Sequence, residues 1–367
     1  MHAAPPQTRS HLLCVAPMMD WTDRHCRFFH RLIAPHALLY SEMITTGAIL
    51  FGDRERLLGF HPDEHPVALQ LGGSEPEDLA RAARIGDEWG YDEINLNCGC
   101  PSERVQRGAF GACLMREPKL VAQCIEAMRE VVDIPVTVKH RLGVDDQTDY
   151  GFVRDFVGAL YEAGCRVFLV HARSAVLKGL SPKENREIPP LRMQMVRELK
   201  REFPAATIVA NGGIASVEQV DGLLRADGTL PGLDGVMLGR AAYHDPWLLR
   251  ALDGILFSAP SYAYPTRESV LAPLEDYFHR EVSRGVQPKS MTRHWHGLFH
   301  GQAGARAWRR QICEGLSPVT AFESALREAR TPIKTAPHSS MESPSQPQAS
   351  NISASESPAT LTSASQT

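Results

Sequence analysis

The residues with the greatest capacity for chemistry lie in Asn95-Leu96-Asn97-Cys98-Gly99-Cys100-Pro101-Ser102, where a short apolar run ends in amides, thiols and a glycine. A strand that runs into a Gly/Pro turn delivers its last polar side chains to the mouth of an α/β fold, where small-molecule chemistry happens. Cys100 is the leading candidate. Its thiol has three available roles, as nucleophile, general acid or inert core group. Its position just past a strand end, beside Asn97 and before a proline-led turn, favours chemistry over packing. A thiol of ordinary pKa, about 8.5, is protonated near neutrality and can deliver a proton to carbon. Cys98, two residues earlier, reads as core.

Polar endings recur after other apolar runs: Ala16-Pro17-Met18-Met19, Gln70 within Leu69-Gln70-Leu71-Gly72-Gly73, Val138-Lys139-His140-Arg141, His171 with Arg173, Asn211-Gly212-Gly213, and Gly239-Arg240. Any one of these alone is more often a satisfied structural residue than a ligand, so the weight rests on their repetition. Gly212, Gly213 and Gly239 would let backbone N–H groups approach an anion closely, and Arg240 adds a charged donor. A phosphate-bearing ligand is expected, although Gly-Gly by itself also suits a tight turn. Lys139 has two candidate jobs, a Schiff base or a positive charge beside an anionic cofactor ring. Gln70 and His171 favour the second, because amide and imidazole hydrogen bonds suit the edge of a flavin, on whose face Met18 can pack. Met18 and Met19 are otherwise core filler.

The elements that must position these residues are eight short apolar runs, at 12–19, 38–43, 67–73, 93–100, 135–143, 166–173, 207–213 and 235–242, separated by segments of helical period such as 76–89, with Ser74 as N-cap, and 119–131. Val/Ile/Leu-rich strands alternating with helices require right-handed crossovers and a parallel sheet buried on both faces. Eight units favour a closed (β/α)8 TIM barrel over an open doubly wound sheet, and no Gly-x-Gly-x-x-Gly fingerprint follows the first strand. After a linker around 258–265 the pattern is helical, at 268–284, 289–300, 304–313 and 318–329. The expected organisation is a catalytic barrel over 1–258, a small helical domain over 259–330, and a Ser/Thr/Pro-rich disordered tail over 331–367.

Composition bounds the rest. The 367 residues are 43% hydrophobic and 22% charged, as in soluble enzymes, and no apolar run approaches the roughly 20 residues of a membrane span. Residues 1–10 lack a basic segment followed by an apolar one, so no export signal is visible and a cytoplasmic location is expected. The eight cysteines form neither a disulfide framework nor a zinc-binding spacing, so no metal is expected. A net charge of -4 argues against indiscriminate nucleic-acid binding but leaves room for a local basic face. Such a face is offered by residues 286–313, where Lys289, Arg293, Arg306, Arg309 and Arg310 occur without an Asp or Glu, interleaved with His294, Trp295, His296, His300 and Trp308. RNA contact is favoured there over a solvated helix face with aromatics packed beneath.

Taken together, Ala16-Pro17-Met18-Met19-Asp20, the Asn95 to Ser102 stretch, Phe110-Gly111-Ala112-Cys113-Leu114-Met115, Lys139-His140-Arg141-Leu142-Gly143 and His171-Ala172-Arg173 resemble the tRNA-dihydrouridine synthases. The run Gly179-Leu180-Ser181-Pro182-Lys183-Glu184-Asn185-Arg186 resembles the A-type branch. The likeness extends over residues 12–329. It implies an FMN-containing barrel with a helical domain that uses NADPH to reduce the C5–C6 double bond of D-loop uridines in tRNA, at positions 20 and 20a for the A-type branch. It further implies that Pro17, Met18, Met19, Gln70, Lys139, His171, Asn211, Gly212, Gly213, Gly239 and Arg240 hold FMN and that Cys100 is the proton donor. Asn97, Arg141, Lys183 and Arg186 are expected at the substrate, with Arg306 and Arg309 on the docked tRNA. The chain is expected to act as a monomer away from membranes. Two competing readings are an FMN barrel acting on a small molecule and a non-catalytic tRNA-binding module.

Overall fold

Eight parallel strands close into a barrel in chain order in the computed structural model, which describes residues 9–257 and 263–330. The strands are β1 (Leu13–Val15), β2 (Leu38–Thr45), β3 (Val67–Gly72), β4 (Glu93–Cys98), β5 (Val136–Arg141), β6 (Val167–His171), β7 (Thr207–Asn211) and β8 (Gly235–Leu238). β8 returns to pair with β1, Cys14 lying opposite Met237. Every residue of β3 and β4 is buried, as a parallel sheet covered on both faces requires. Most runs end earlier than their apolar character suggests. β1 stops at Val15 because Pro17, two residues on, has no N–H to offer a neighbouring strand.

The period of two along each strand sorts side chains between two cores. Outward residues such as Ile94, Leu96, Cys98, Val138 and Phe168 join the large apolar layer between barrel and helices, so Cys98 is packing, as expected. Inward apolar residues form a separate small cluster of Cys14, Ala16, Leu38, Tyr40, Ala68, Leu169, Val209 and Met237. That cluster is fed by β1, β2, β3 and β6 to β8, whereas the inward positions of β4 and β5 are polar.

The helices start where capping chemistry allows. Asp23 accepts hydrogen bonds from the backbone of His25 and Cys26 at the start of helix Arg24–Ile33, and Ser102 does the same for Val105. Ser74 is not a cap. Helix Pro76–Glu88 takes Pro76 as its first residue, which moves the cap position to Glu75, because proline's fixed φ suits the first helical position.

The expected helix over 289–300 is also shorter, ending at Thr292. Beyond it the chain turns so that Gly297 can press against His244 and Pro246, where an added Cβ would lie 2.4 Å from Pro246 Cδ. Tertiary contact there overrides helical period. Helices Leu271–Ser283, Pro288–Thr292, Ala305–Glu314 and Pro318–Arg330 complete the described chain. They dock on helix Arg24–Ile33: Tyr277 stacks on Phe28 at 3.9 Å, and His25 Nδ1 lies 2.6 Å from the Tyr277 hydroxyl. The described residues form one compact unit. Part of the expected linker, 258–262, and the tail from Thr331 lie outside the described residues.

Candidate active site

The C-terminal ends of the strands form the roof of the barrel, and the register brings the expected residues together there. Asn97 pairs with Lys139, Arg141 with His171, and His171 with Asn211. Lys139 Nζ donates to Asn211 Oδ1 at 3.1 Å, and Asn211 Nδ2 donates to the Met237 carbonyl at 2.8 Å, so the ends of β5, β7 and β8 are tied by side chains. Gln70 is 1% exposed. Its Oε1 accepts from Asn97 Nδ2 at 2.8 Å, which ties β3 to β4.

Cys100 stands in the turn that leaves β4. The backbone N–H groups of Gly99 and Cys100 donate to Asn97 Oδ1 at 3.1 and 3.0 Å, and the Cys100 carbonyl accepts from Ala112 N at 2.9 Å. Gly111 makes that last approach possible: its φ is +80°, and a Cβ there would lie 2.6 Å from the Cys100 carbonyl oxygen. The thiol is half-buried, with Sγ 3.6 Å from the Ser102 hydroxyl. It is neither sealed in hydrocarbon nor loosely displayed.

Arg141 is buried and spends its donors on the surrounding loops: Nε on the Gly99 carbonyl at 2.8 Å, and Nη1 on the carbonyls of Ser174 and Asn185 at 3.1 and 2.9 Å. The fully buried Asn185 organises the segment after β6, accepting from Val176 N at 2.7 Å and donating to the Val176 carbonyl at 2.8 Å. Its place between Lys183 and Arg186 had marked it only as part of a motif; its role as the knot of that loop is new.

The electrostatics of the roof are one-sided. Desolvation, with Arg141 adding to it and Cys100 opposing, pushes Lys139 down to about 7. Burial holds His171 well below the usual histidine range, and Arg141, Lys139, Arg173 and Arg186 push the same way. Burial also lowers Arg141 to about 10. Glu187 pairs with Arg240 at 2.7 Å, but both side chains are largely exposed. Burial is the larger cause, and the cations that push the same way leave this cluster short of negative charge, which an anionic ligand would relieve.

The glycine turns fit the same picture. Gly212 has φ of +114°, and a Cβ there would fall 2.7 Å from His171 Cδ2. Gly239 lies under the loop after β1, where its Cβ would meet Met18 Sδ at 3.7 Å, so Met18 and the β8 turn border one space. Pro17 is half-buried, Met19 is 57% exposed, and Gly213 is exposed. Lys183 and Arg186 lie exposed on the rim.

In the helical region Arg306 and Arg309 are exposed on one face of helix Ala305–Glu314, while Ala307, Trp308 and Ile312 face inward. Trp308 Nε1 donates to the Trp295 carbonyl at 2.9 Å, and both tryptophans are buried. The tryptophans of this stretch therefore pack the helical layer, and Arg293 and Arg310 pair with Asp23 and Glu328. The basic face reduces to Lys289, Arg306 and Arg309. Among the described residues there is no cluster of metal-ligand side chains and no helix long and apolar enough to cross a membrane.

A family model described as dihydrouridine synthase matches residues 14–335, which is nearly the whole of the unit built above. This chain belongs to the dihydrouridine synthase family. Among its relatives, a protein of Xanthomonas axonopodis pv. citri named tRNA-dihydrouridine(20/20a) synthase is 57% identical over 303 residues, 83% of this chain and 88% of that protein. Proteins of the same name from Vibrio cholerae and Pseudomonas aeruginosa are 54% identical over 327 residues and 51% over 326. These alignments cover 89% and 88% of this chain, and 98% and 96% of those proteins.

One set of residues escaped sequence reasoning. Glu93, Thr137, Tyr40 and His11 meet at the floor of the barrel: Glu93 Oε1 accepts from the hydroxyls of Tyr40 and Thr137, each at 2.6 Å, and Oε2 lies 2.5 Å from His11 Nε2. The signal was present in β4, where Glu93, Asn95 and Asn97 alternate with Ile94, Leu96 and Cys98. That alternation is the mark of one polar, inward face.

Proposed function

We propose that this chain reduces the C5–C6 double bond of uridines 20 and 20a in the D-loop of tRNA, giving 5,6-dihydrouridine, with FMN held at the barrel roof and NADPH as reductant. The reading is carried by one observation: a half-buried thiol, Cys100, in the turn that Arg141 holds through the Gly99 carbonyl, with Lys139 opposite Asn97 on the next strand. It accords with the names of relatives more than 50% identical over most of their length.

The donor set suits FMN. Lys139, His171 and Asn211 present nitrogen donors and an amide, Gly212 keeps the backbone next to His171 free of a side chain, and the unbalanced cations match a phosphate monoester. Gly213, Gly239 and Arg240 would hold that phosphate, with Gln70 at the ring edge and Pro17, Met18 and Met19 on the ring face. When bound and reduced by NADPH, this group supplies hydride to uracil C6.

The chain's own residues do the rest. Cys100 gives its proton to C5 from the opposite side. Lys139, Arg141 and Asn97 stabilise negative charge that develops on the uracil carbonyls, and they act strongly because they are already fixed by the hydrogen bonds described above. The target base must leave the stacked loop at a cost of a few kcal/mol, less for an unpaired nucleotide. Lys183, Arg186, Arg306 and Arg309 would recover that cost through phosphate contacts.

The test is Cys100→Ala. It is expected to lower turnover by about a hundredfold or more while the purified protein keeps its yellow flavin. Loss of the flavin with the thiol would assign Cys100 to cofactor binding and overturn its role as acid.

A further inference from the structure

One unbroken line of hydrogen bonds crosses the barrel interior from floor to roof. The Thr137 hydroxyl donates to Glu93 Oε1 at 2.6 Å. Asn95 Nδ2 donates to Thr137 Oγ1 at 2.8 Å, Gln70 Nε2 to Asn95 Oδ1 at 2.7 Å, and Asn97 Nδ2 to Gln70 Oε1 at 2.8 Å. Asn97 Oδ1 then accepts from the backbone of Gly99 and Cys100. Every donor in the line points toward Glu93.

The chemistry of the two ends dictates that sense. An ionised carboxylate only accepts, and a backbone N–H only donates. Between these fixed ends each primary amide must turn its oxygen toward the roof and its nitrogen toward the floor. Reversing any one of them would set two donors or two acceptors face to face. All the side chains involved are 8% exposed or less, so water is poorly placed to repair such a mismatch, and an unmade buried hydrogen bond is costly.

We propose that Glu93 is a positioning residue for the reaction: acting through Thr137, Asn95 and Gln70, its carboxylate sets which edge Gln70 and Asn97 present and holds the turn from which Cys100 works. This rests on the role given to Cys100 above. Glu93 opens β4, seven positions before Cys100, and is joined to the roof by this line. Tyr40 supplies an internal control, since its hydroxyl donates to the same Glu93 oxygen at the same 2.6 Å but leads no further toward the roof.

The experiment compares Thr137→Val, Thr137→Ser, Tyr40→Phe and Glu93→Met in the full flavin-loaded chain. Two readouts are taken: steady-state kinetics on tRNA lacking dihydrouridine, and the rate at which iodoacetamide alkylates Cys100, followed by peptide mass spectrometry. Thr137→Val is expected to lower kcat about tenfold with KM for tRNA within about twofold, since misplacing a reacting group costs rate more than affinity. It should also speed alkylation of Cys100 about threefold by loosening its turn. Thr137→Ser restores both readouts, Tyr40→Phe leaves both at wild-type values, and Glu93→Met, which offers Thr137 no oxygen acceptor, repeats the kcat loss even if the valine variant does not fold. Equal kcat losses in Tyr40→Phe and Thr137→Val, or wild-type values in Thr137→Val or in Glu93→Met, would overturn the proposal. A wild-type chain inactive on tRNA would break the functional reading instead, and the alkylation contrast would still decide the positioning claim.

Discussion

The two ends of this barrel treat charge in opposite ways. At the floor, burial alone would lower His11, but the Glu93 charge and hydrogen bond outweigh it and hold the imidazole above its usual range; the pair is closed by Tyr40 and Thr137. At the roof, desolvation lowers Lys139, Arg141 and His171, and neighbouring guanidinium groups push each of them the same way. The floor is a satisfied network of the kind that stabilises a core, and the roof is an unsatisfied one that stores affinity for a ligand. The contrast teaches that titratable groups in one barrel are not functional merely by being buried. What distinguishes the site is charge left without its complement.

Removing a charge at the roof should therefore cost function and spare stability. Lys139→Met is expected to lower turnover about a hundredfold, with the flavin content of the purified protein falling as well, while the flavin-free protein is no less stable than the parent. The sign follows from linkage. Lys139 binds its proton less tightly folded, near 7, than at its ordinary value of 10.5. Stability of the flavin-free chain therefore rises with pH between those values and is lowest below 7. Urea midpoints at several pH values would show Lys139→Met flattening that slope; an unchanged slope would mean the roof lysine is not desolvated.

Removing the imidazole at the floor, with the Glu93 carboxylate and its line to the roof left in place, should do the reverse. His11→Ala leaves the buried Glu93 carboxylate with only its two hydroxyl partners, and breaking a buried pair costs about 3–5 kcal/mol. The loss should appear in urea unfolding at pH 6, while NADPH-dependent turnover per folded molecule stays within about threefold. Because the folded pKa of His11 is raised, its contribution is fully present below about 6.5 and fades as pH rises through the folded value. A His11→Ala deficit that grew with pH would contradict the paired floor.

The smallest effect belongs to the helical region. Arg306→Glu with Arg309→Glu should weaken tRNA binding about tenfold and reduce the dependence of log affinity on log salt by about two contacts, with flavin binding untouched. Unchanged affinity and slope would move the docking surface elsewhere.

Much of this arrangement was legible in the chain. Lys139, His171 and Asn211 lie toward the ends of apolar runs and Gln70 within one, and the barrel's register must bring such residues toward one rim. The floor was less legible because Glu93 opens its strand behind Tyr91-Asp92, where it reads as a polar approach to the strand; only the alternation Glu93, Asn95, Asn97 marks it as inward. Thr137 is hidden in a β-branched run whose residues serve strand propensity equally well. The turn after Thr292 was misread as helix because Trp295, Leu298 and Phe299 keep an apolar spacing close to helical, and the contact of Gly297 with His244 and Pro246 that breaks it is a tertiary fact. The tryptophans of the basic stretch were read as partners for RNA, yet residues of that size are drawn first into a small helical core.

The central claim is that a bound flavin and the Cys100 thiol share the roof across one extruded uracil. It is tested most directly by reducing the purified protein with NADPH, removing the excess, and following flavin absorbance as tRNA lacking dihydrouridine is added without oxygen. The predicted result is reoxidation of the flavin with one dihydrouridine formed per flavin, confined to the D-loop. A flavin that stays reduced with tRNA but is reoxidised by a small enone would contradict the account.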